Sequence, residues 1–256
     1  MYSKATGLFF LLVAGINGLM VMPFYTDSPA AAVENGDEMT IVSFNVGQRG
    51  SIRDTVYRWI DTTESDLVVL VDSTDAWIEA EGISTSFEAQ TDLPVDRTYG
   101  ITVLTEEPVT TELLRASSAR DYVVRIETSI GDQPVVVYAV QTRGATNATD
   151  SDLRDEYLEE VNIMVQDETD PTIVVGDFGA TPWSHSFRSL ESDAELHNSM
   201  RGYGLQTTWP ADQWAFLRLP MDHLLHSEEL TTTDRYLGPT FGVDHRPIVV
   251  TVGLAG

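Results

Sequence analysis

Cysteine is absent from this 256-residue chain. The absence excludes disulfide-stapled scaffolds, thiolate metal sites and thiol nucleophiles, but it does not fix the cellular compartment. Hydrophobic residues make up 42% of the sequence, which is enough for one large domain with its own core. The fold must therefore be held together by the burial of apolar side chains.

Positive charge is also scarce. Lys4 is the only lysine, and 15 lysine and arginine residues face 40 acidic residues, which gives a formal net charge of −25. Such a surface repels nucleic-acid phosphates, so we expect no strong sequence-independent binding to nucleic acids. It also predicts a halophile-like, salt-rich habitat where self-repulsion is screened; greater thermal stability in molar salt would support this expectation.

One long uncharged apolar run is present, at residues 5–25. Its length is enough to span a bilayer, and its flanking charges predict a cytoplasmic N-terminus with the remaining chain outside the cytoplasm. Two alternatives stay open, a transmembrane anchor or a signal segment cleaved near Ala32 to release a secreted protein. Residues 26–38 are predicted to be an acidic linker, and residues 39–256 to be the globular domain.

The domain combines strand-length apolar runs with a few amphipathic segments. Helices are expected at 51–62, with Ser51 as N-cap, and at 151–167 and 182–194. Strands are expected at 40–46, 66–72, 100–104, 122–128, 134–140, 171–176, 222–225, 230–236 and 247–252, with a hairpin turn at Gly131-Asp132. Strands and helices do not alternate regularly, so the sequence predicts an α+β fold with two β-sheets packed face to face and helices outside.

Signatures of serine hydrolases, zinc peptidases, P-loops and dinucleotide sites are all missing. Acidic residues instead stand where apolar runs end or begin: Asp72, Asp177, the pair Asp222-His223 and the pair Asp244-His245. Each alone is also compatible with an ordinary turn or helix cap. Together, acids and a histidine at one sheet edge favour a site for a divalent metal and a phosphate ester.

Six fragments in chain order resemble the successive motifs of the endonuclease/exonuclease/phosphatase superfamily, to which deoxyribonuclease I belongs. The resemblance covers residues 39–254, and the apolar run before them is similar to a membrane-anchored prokaryotic branch. It implies a four-layer α/β/β/α sandwich and hydrolysis of a phosphate ester with Mg²⁺ or Mn²⁺. The fragments are Ser43–Val46, Asp66–Leu70, Gly100–Leu104, Gly176–Trp183, Met221–Leu225 and Asp244–Pro247.

The resemblance also implies roles for individual residues. Asn45 matches an asparagine that helps to hold metal and phosphate, and Asp177 matches the aspartate that orients or deprotonates the attacking water. Asp222 matches an acid that orients a catalytic histidine. Asp244 and His245 match the closing pair, in which the histidine contacts the scissile phosphate. Catalysis is therefore expected from Asp177, His245, Asp222 and Asn45.

Three positions depart from the family pattern. Asp72 stands where a metal-binding glutamate is expected, so Asp72, Asn45 and Asp244 are the predicted metal ligands. Gln141 replaces a histidine and Gly179 replaces an asparagine, both at positions predicted to contact phosphate. Glutamine can donate a hydrogen bond but cannot carry a proton, and glycine has no side chain to offer.

Two functions are consistent with this pattern. The first is a metal-dependent phosphoesterase working outside the cytoplasm, weakened at three positions. The alternative is a non-catalytic, membrane-tethered domain that binds a phosphorylated ligand or a protein partner. A purely structural exported domain is a remoter possibility. The substrate is expected to be selected by loops at 74–98, 143–150 and 201–218, which contain no recognisable motif.

Overall fold

The computed structural model describes residues 4–28, 31–32, 36–77, 87–91, 100–116, 122–142, 144 and 147–256. The predicted substrate loop at 74–98 lies mostly outside these residues, and the one at 143–150 lies partly outside them. The predicted loop at 201–218 lies within them.

Two six-stranded sheets form the centre of the domain. The first has the strand order β11-β12-β1-β2-β4-β3, and the second has the order β5-β6-β7-β8-β10-β9. The strands are β1 Glu38–Asn45, β2 Leu67–Ser73, β3 Glu88–Thr91, β4 Gly100–Thr105, β5 Thr110–Arg115, β6 Tyr122–Ile130, β7 Gln133–Gln141, β8 Thr172–Asp177, β9 His197–Asn198, β10 Asp222–His226, β11 Leu230–Leu237 and β12 Ile248–Leu254. Both sheets are mixed, because β1 and β2 are parallel, as are β7 and β8, while the other pairs are antiparallel.

Helices cover the outer faces of the two sheets. The described α-helices are α1 Lys4–Val21, α2 Pro23–Thr26, α3 Arg53–Ile60, α4 Ala148–Gln166 and α5 His185–Asp193. The buried side chains of α3 pack on the first sheet, and those of α4 and α5 pack on the second. The domain is therefore two packed mixed sheets flanked by helices, as the sequence predicted.

Successive side chains along each strand point to opposite faces of its sheet, and this alternation builds the layers. In β1, Ile41 belongs to the core between the sheets, while Val42 and Phe44 belong to the core beneath α3. In β8, Ile173 lies between the sheets and Val174 lies beneath α4 and α5. Strands that are buried on both faces need apolar residues at every position, which explains their continuous apolar runs.

Most predicted elements are present, with a few differences. The hairpin between β6 and β7 is confirmed, since Ile130 pairs with Gln133 across the predicted turn. The predicted Ser51 cap is wrong: a 3₁₀ turn at Gly50–Ile52 precedes α3, and Ser51 makes no capping hydrogen bond there. Strands β3, β5 and β9 were not predicted; β5 is an edge strand with exposed polar residues, and β9 has two residues.

The N-terminal apolar run does not form one continuous helix over residues 5–25. Helix α1 ends at Val21, and Pro23 begins the separate helix α2. Within the described part of the chain, none of the helices combines the length and apolar character needed to cross a membrane. The predicted transmembrane helix is therefore not supported.

The segment after α1 contacts the domain. Phe24 is buried and its ring lies 6.1 Å from that of Trp183. Asp27 forms an ion pair with Arg201, at 3.1 Å between Oδ2 and Nη1. Ala32, beside the predicted cleavage site and inside the predicted linker, forms a β-bridge with Ala255.

Strand register brings polar side chains to one edge of the two sheets. Gln141 pairs with Asp177 between β7 and β8, and Asp177 pairs with Asp222 between β8 and β10. Glycine is required at 176 because its φ is +144° and a Cβ there would collide with the carbonyl oxygen of Val140. The close approach of β7 and β8 thus fixes where Asp177 leaves the sheet.

Candidate active site

Asp177 is the centre of the site. It ends β8, is buried, and accepts hydrogen bonds from Asn45 Nδ2 at 2.8 Å and from the Gly179 N–H at 2.9 Å. Because Asn45 ends β1 of the other sheet, its hydrogen bond to Asp177 connects the two sheets. Burial, followed by the nearby charge of Asp222, raises the pKa of Asp177 above its ordinary value.

His245 lies between two buried carboxylates. Its Nδ1 is 2.8 Å from Asp222 Oδ2, and its Nε2 is 3.7 Å from Asp177 Oδ2. The short contact to a carboxylate oxygen assigns the Nδ1 proton to the bond with Asp222. Burial lowers the pKa of His245, but Asp222 and Asp177 outweigh burial and raise the pKa to about 9. The two carboxylates therefore favour the protonated imidazole over the neutral one.

Asp222 supports His245 from behind. It is 1% exposed, and its second oxygen, Oδ1, is buried without a hydrogen-bond partner among the described residues. The neighbouring His223 faces the other side of β10, where it packs against the rings of Phe178 and Phe187. Burial lowers the pKa of His223 to about 4. Only Asp222 of this pair belongs to the site.

Asp72 forms a second acidic position. It sits at an irregularity of β2, between Val71 and Ser73, with φ +58°. A positive φ is tolerated by aspartate better than by most longer side chains, so the backbone itself favours aspartate over the glutamate of the family pattern. Burial raises the pKa of Asp72.

Two glutamine side chains hold the Asp72 carboxylate. Gln48 Nε2 donates to Oδ1 at 3.1 Å, and Gln141 Nε2 approaches the same oxygen at 3.4 Å. The Gln141 Oε1 also accepts from the backbone N–H of Asp72 at 3.2 Å. The structure thus places the Gln141 carboxamide against Asp72, so that both of its polar atoms contact this residue instead of being free for phosphate.

Gly179 has φ +53°, a conformation in which asparagine would also be accommodated. Its N–H binds Asp177, and its carbonyl oxygen accepts from Arg154 Nη1 at 3.1 Å. Gly179 therefore contributes to the site through its backbone, by holding the Asp177 carboxylate.

A pocket of about 190 Å³ lies beside Asp72 and His245, and neither Asp177 nor Asp222 is part of its lining. Its lining includes the three predicted metal ligands Asn45, Asp72 and Asp244 together with His245, so the structure brings them to one cavity. Neither Gln141 nor Gly179 is part of that lining. The pocket is lined by Asn45, Gly47, Arg49, Asp72, Trp209, Val243, Asp244 and His245.

Oxygen ligands suit a hard divalent cation, and the pocket offers two carboxylates and an amide. Among the described residues, Asp72 Oδ2 has no hydrogen-bond donor, which leaves it available to a cation. Asp177, Asp222 and His245 also place possible ligand atoms within 4.8 Å of one another. The pocket beside Asp72 offers oxygen ligands alone, which suit a hard cation, whereas the group of Asp177, Asp222 and His245 contains an imidazole held between carboxylates, which suits acid–base chemistry.

Several site residues were not predicted from the sequence. Gln48 and Arg49 come from a loop that the sequence did not single out, and Arg49 Nη1 donates to the Gly242 carbonyl at 2.5 Å. Trp209 comes from the predicted substrate loop 201–218. Arg235 is a buried cation that interacts electrostatically with Asp222, and burial lowers its pKa to about 9. Arg235 stands among the threonines and aspartate of β11, where no sequence pattern marks it as a site residue.

The sequence matches a family model over most of its length. The Endonuclease/Exonuclease/phosphatase family model aligns with residues 42–250. No curated protein matches the chain significantly.

Solved structures share the fold at low sequence identity. A functionally unknown conserved protein from Enterococcus faecalis has a TM-score of 0.72 at 14% identity, covering 84% of this chain and 100% of its own. TDP2 from D. rerio, complexed with a single-strand DNA product, has a TM-score of 0.71 at 15% identity, covering 84% and 99%. The human Nocturnin catalytic domain, with bound sulfate, has a TM-score of 0.65 at 14% identity, covering 90% and 100%.

The electrostatic coupling at His245 can be measured directly. Replacement Asp222→Asn removes the largest charge that favours the imidazolium, while burial still opposes it, so the pKa of His245 should fall from about 9 by at least about one unit. Asp244→Asn is the matched control and should lower this pKa by less, because Asp244 is the weakest of its acidic influences. NMR titration of the metal-free protein gives both values. An unchanged pKa in Asp222→Asn would contradict the geometry.

Proposed function

Because this chain belongs to the Endonuclease/Exonuclease/phosphatase family, we propose that it is a divalent-metal-dependent hydrolase of phosphate esters. The observation that carries the proposal is the convergence of Asp177, Asp222 and His245, with Asn45 holding Asp177 from the opposite sheet. A nuclease-like or phosphatase-like site of this family needs a base, a cation for the phosphate and a metal position.

Asp72, Asn45 and Asp244 are the proposed ligands of Mg²⁺ or Mn²⁺. The support is their common pocket, the oxygen character of their side chains and the Oδ2 of Asp72, to which no residue in the described part of the chain donates a hydrogen bond. A divalent cation bound there would neutralise negative charge on the phosphoryl oxygens. The hydrogen bonds from Gln48 and Gln141 to Oδ1 orient the Asp72 carboxylate in this pocket.

Proton transfer is assigned to the buried acids. Asp177 accepts a proton from a water molecule as the water oxygen forms a bond to phosphorus, and the bond from phosphorus to the leaving oxygen breaks. The raised pKa of Asp177 brings this carboxylate closer to a proton-accepting role at neutral pH. His245, held by Asp222, presents its Nε2–H toward a phosphoryl oxygen, and the leaving oxygen takes its proton from solvent.

Substrate choice is constrained by charge. A net charge of −25 opposes extended polyanions, so we propose a substrate with a single phosphate ester group instead of sequence-independent binding to long nucleic acids. Arg49 at the pocket is the cation placed to meet such a group alongside His245.

A second candidate function is a non-catalytic domain of the same fold that binds a phosphorylated ligand or a protein partner. It is favoured by Gly179, which offers no side chain to phosphate, and by Gln141, whose amide is committed to Asp72. The two candidates differ in turnover, and both predict binding of a phosphate group.

Hydrolysis of a simple phosphodiester distinguishes the hydrolase from the non-catalytic binding domain. Wild-type protein should hydrolyse bis(p-nitrophenyl) phosphate with Mg²⁺ or Mn²⁺ and lose this activity in EDTA, at low or at molar salt. Asp177→Asn should lower the rate by about 10²–10⁴-fold, because the amide cannot accept the proton. Asp132→Asn, in the β6–β7 turn, is the matched control and should keep wild-type activity. Absence of turnover by a folded, metal-loaded wild type would contradict the hydrolase and leave the binding domain.

We also propose that the domain works outside the cytoplasm, either attached to the membrane through residues 5–25 or secreted after cleavage near Ala32. The support is the apolar composition of α1, whose side chains from Leu8 to Leu12 are exposed. A reporter active only outside the cytoplasm, fused after Gly256, should be active. Activity of a cytoplasm-only reporter at the same position would contradict this location.

A further inference from the structure

An apolar loop stands beside the active-site pocket. We define the tip loop as residues 209–219, in which Trp214 is 75% exposed, Phe216 81% and Leu217 53%. The Trp214 and Phe216 rings are neighbours, with centroids 6.5 Å apart. Aromatic side chains of this size rarely cluster on a surface in contact with water alone, and such patches mark contact sites.

The tip loop is held by its own hydrogen bonds. Trp209 and Leu219 exchange backbone hydrogen bonds of 3.0 and 2.5 Å at its base. Within it, the Leu217 N–H donates to the Trp214 carbonyl at 2.8 Å, and Arg218 Nε donates to the Gln213 carbonyl at 2.8 Å. The exposed rings are therefore presented by an ordered backbone, which lowers the entropy cost of binding through them.

The base of the tip loop belongs to the active site. Trp209 lines the pocket together with His245, and the Ala211 N–H donates to the Asp244 carbonyl at 2.7 Å. A surface that binds Trp214 and Phe216 would therefore lie next to the opening through which a phosphate ester enters. Trp214 and Phe216 differ from isolated exposed apolar residues such as Ile163 because their loop adjoins the active-site pocket.

The net charge of the protein limits which kinds of surface could bind the tip loop. The net charge of −25 opposes strongly anionic surfaces, including nucleic acid and anionic membranes. The tip loop itself carries Asp212 and Arg218, so it is close to neutral. Tryptophan with an apolar neighbour is suited to the boundary between lipid headgroups and acyl chains. These features match an uncharged or zwitterionic lipid surface.

We propose that the tip loop inserts Trp214 and Phe216 into the surface of a zwitterionic phospholipid bilayer, and that the adjoining site takes its phosphate ester from that lipid surface. The second half rests on the proposed hydrolase function, and the first half does not. The loop brings the enzyme to a substrate whose other end is apolar and stays in the bilayer.

Fluorescence quenching tests the insertion without requiring turnover. The full chain is mixed with vesicles of phosphatidylcholine brominated on its acyl chains, which quench only tryptophans that enter the bilayer. Helix α1 contains no tryptophan, but Trp183 lies against Met20 and Phe24, so the loss of quenching in Trp214→Phe, and not the wild-type signal alone, reports on the tip loop. Wild type should be quenched, and Trp214→Phe should lose most of the quenching.

Two further variants control this experiment. Trp59→Phe removes a tryptophan of α3 whose ring packs against that of Phe241, and this variant should be quenched like wild type. Phe216→Trp in the Trp214→Phe background should restore the quenching, since position 216 is equally exposed. Vesicles that also contain phosphatidylglycerol should bind less tightly at low salt, because of the negative charge of the protein.

Three results would contradict insertion of the tip loop into the bilayer. The insertion is wrong if wild type is not quenched, if Trp214→Phe is quenched as strongly as wild type, or if binding needs anionic lipid. Quenching by a short single-stranded oligonucleotide, with none by vesicles, would show instead that the rings stack on bases. Hydrolysis of a soluble diester by wild type is measured separately, so failure of the hydrolase is distinguishable from failure of the insertion.

Discussion

The arrangement of two buried carboxylates around one imidazole is the interaction on which the rest of the site depends. Asp177 and Asp222 lie opposite each other on adjacent strands, and removing both from water is costly unless charge and hydrogen bonds compensate. His245 supplies the compensating charge, while Asn45 and the Gly179 N–H supply hydrogen bonds. Because Asn45 comes from the other sheet, the acid–base group is complete only when the two sheets are packed together.

The Asp72 side of the pocket shows how one departure from the family pattern is connected with another. Asp72 occupies a left-handed backbone position at an irregularity of β2, and its carboxylate is fixed by Gln48 and Gln141. Gln141, which appeared in the sequence to be a lost phosphate contact, is in the structure a partner of the shortened acid. The two departures from the family pattern are therefore coupled, and restoring a histidine at 141 alone would remove hydrogen bonds from Asp72.

Much of this could be predicted from the sequence, for a physical reason. Strands buried on both faces leave continuous apolar runs, and acids such as Asp177 that end those runs necessarily meet at a sheet edge. Edge strand β5 was missed because its exposed side allows polar residues, and β9 because two residues carry no pattern. Gln48 was missed because its loop reaches the pocket only through tertiary contacts that no local pattern records, and within the predicted loop 201–218 no pattern distinguished Trp209.

The central claim is that this edge of the two sheets holds a metal next to the acid–base group. Anomalous diffraction from a crystal of the protein soaked in Mn²⁺ and phosphate would test it most directly. The account predicts one ion in the pocket with an Asp72 carboxylate oxygen at about 2.1–2.3 Å, and phosphate between that ion and His245. An ion bound among Asp177, Asp222 and His245, or none at all in the pocket at saturating Mn²⁺, would contradict it.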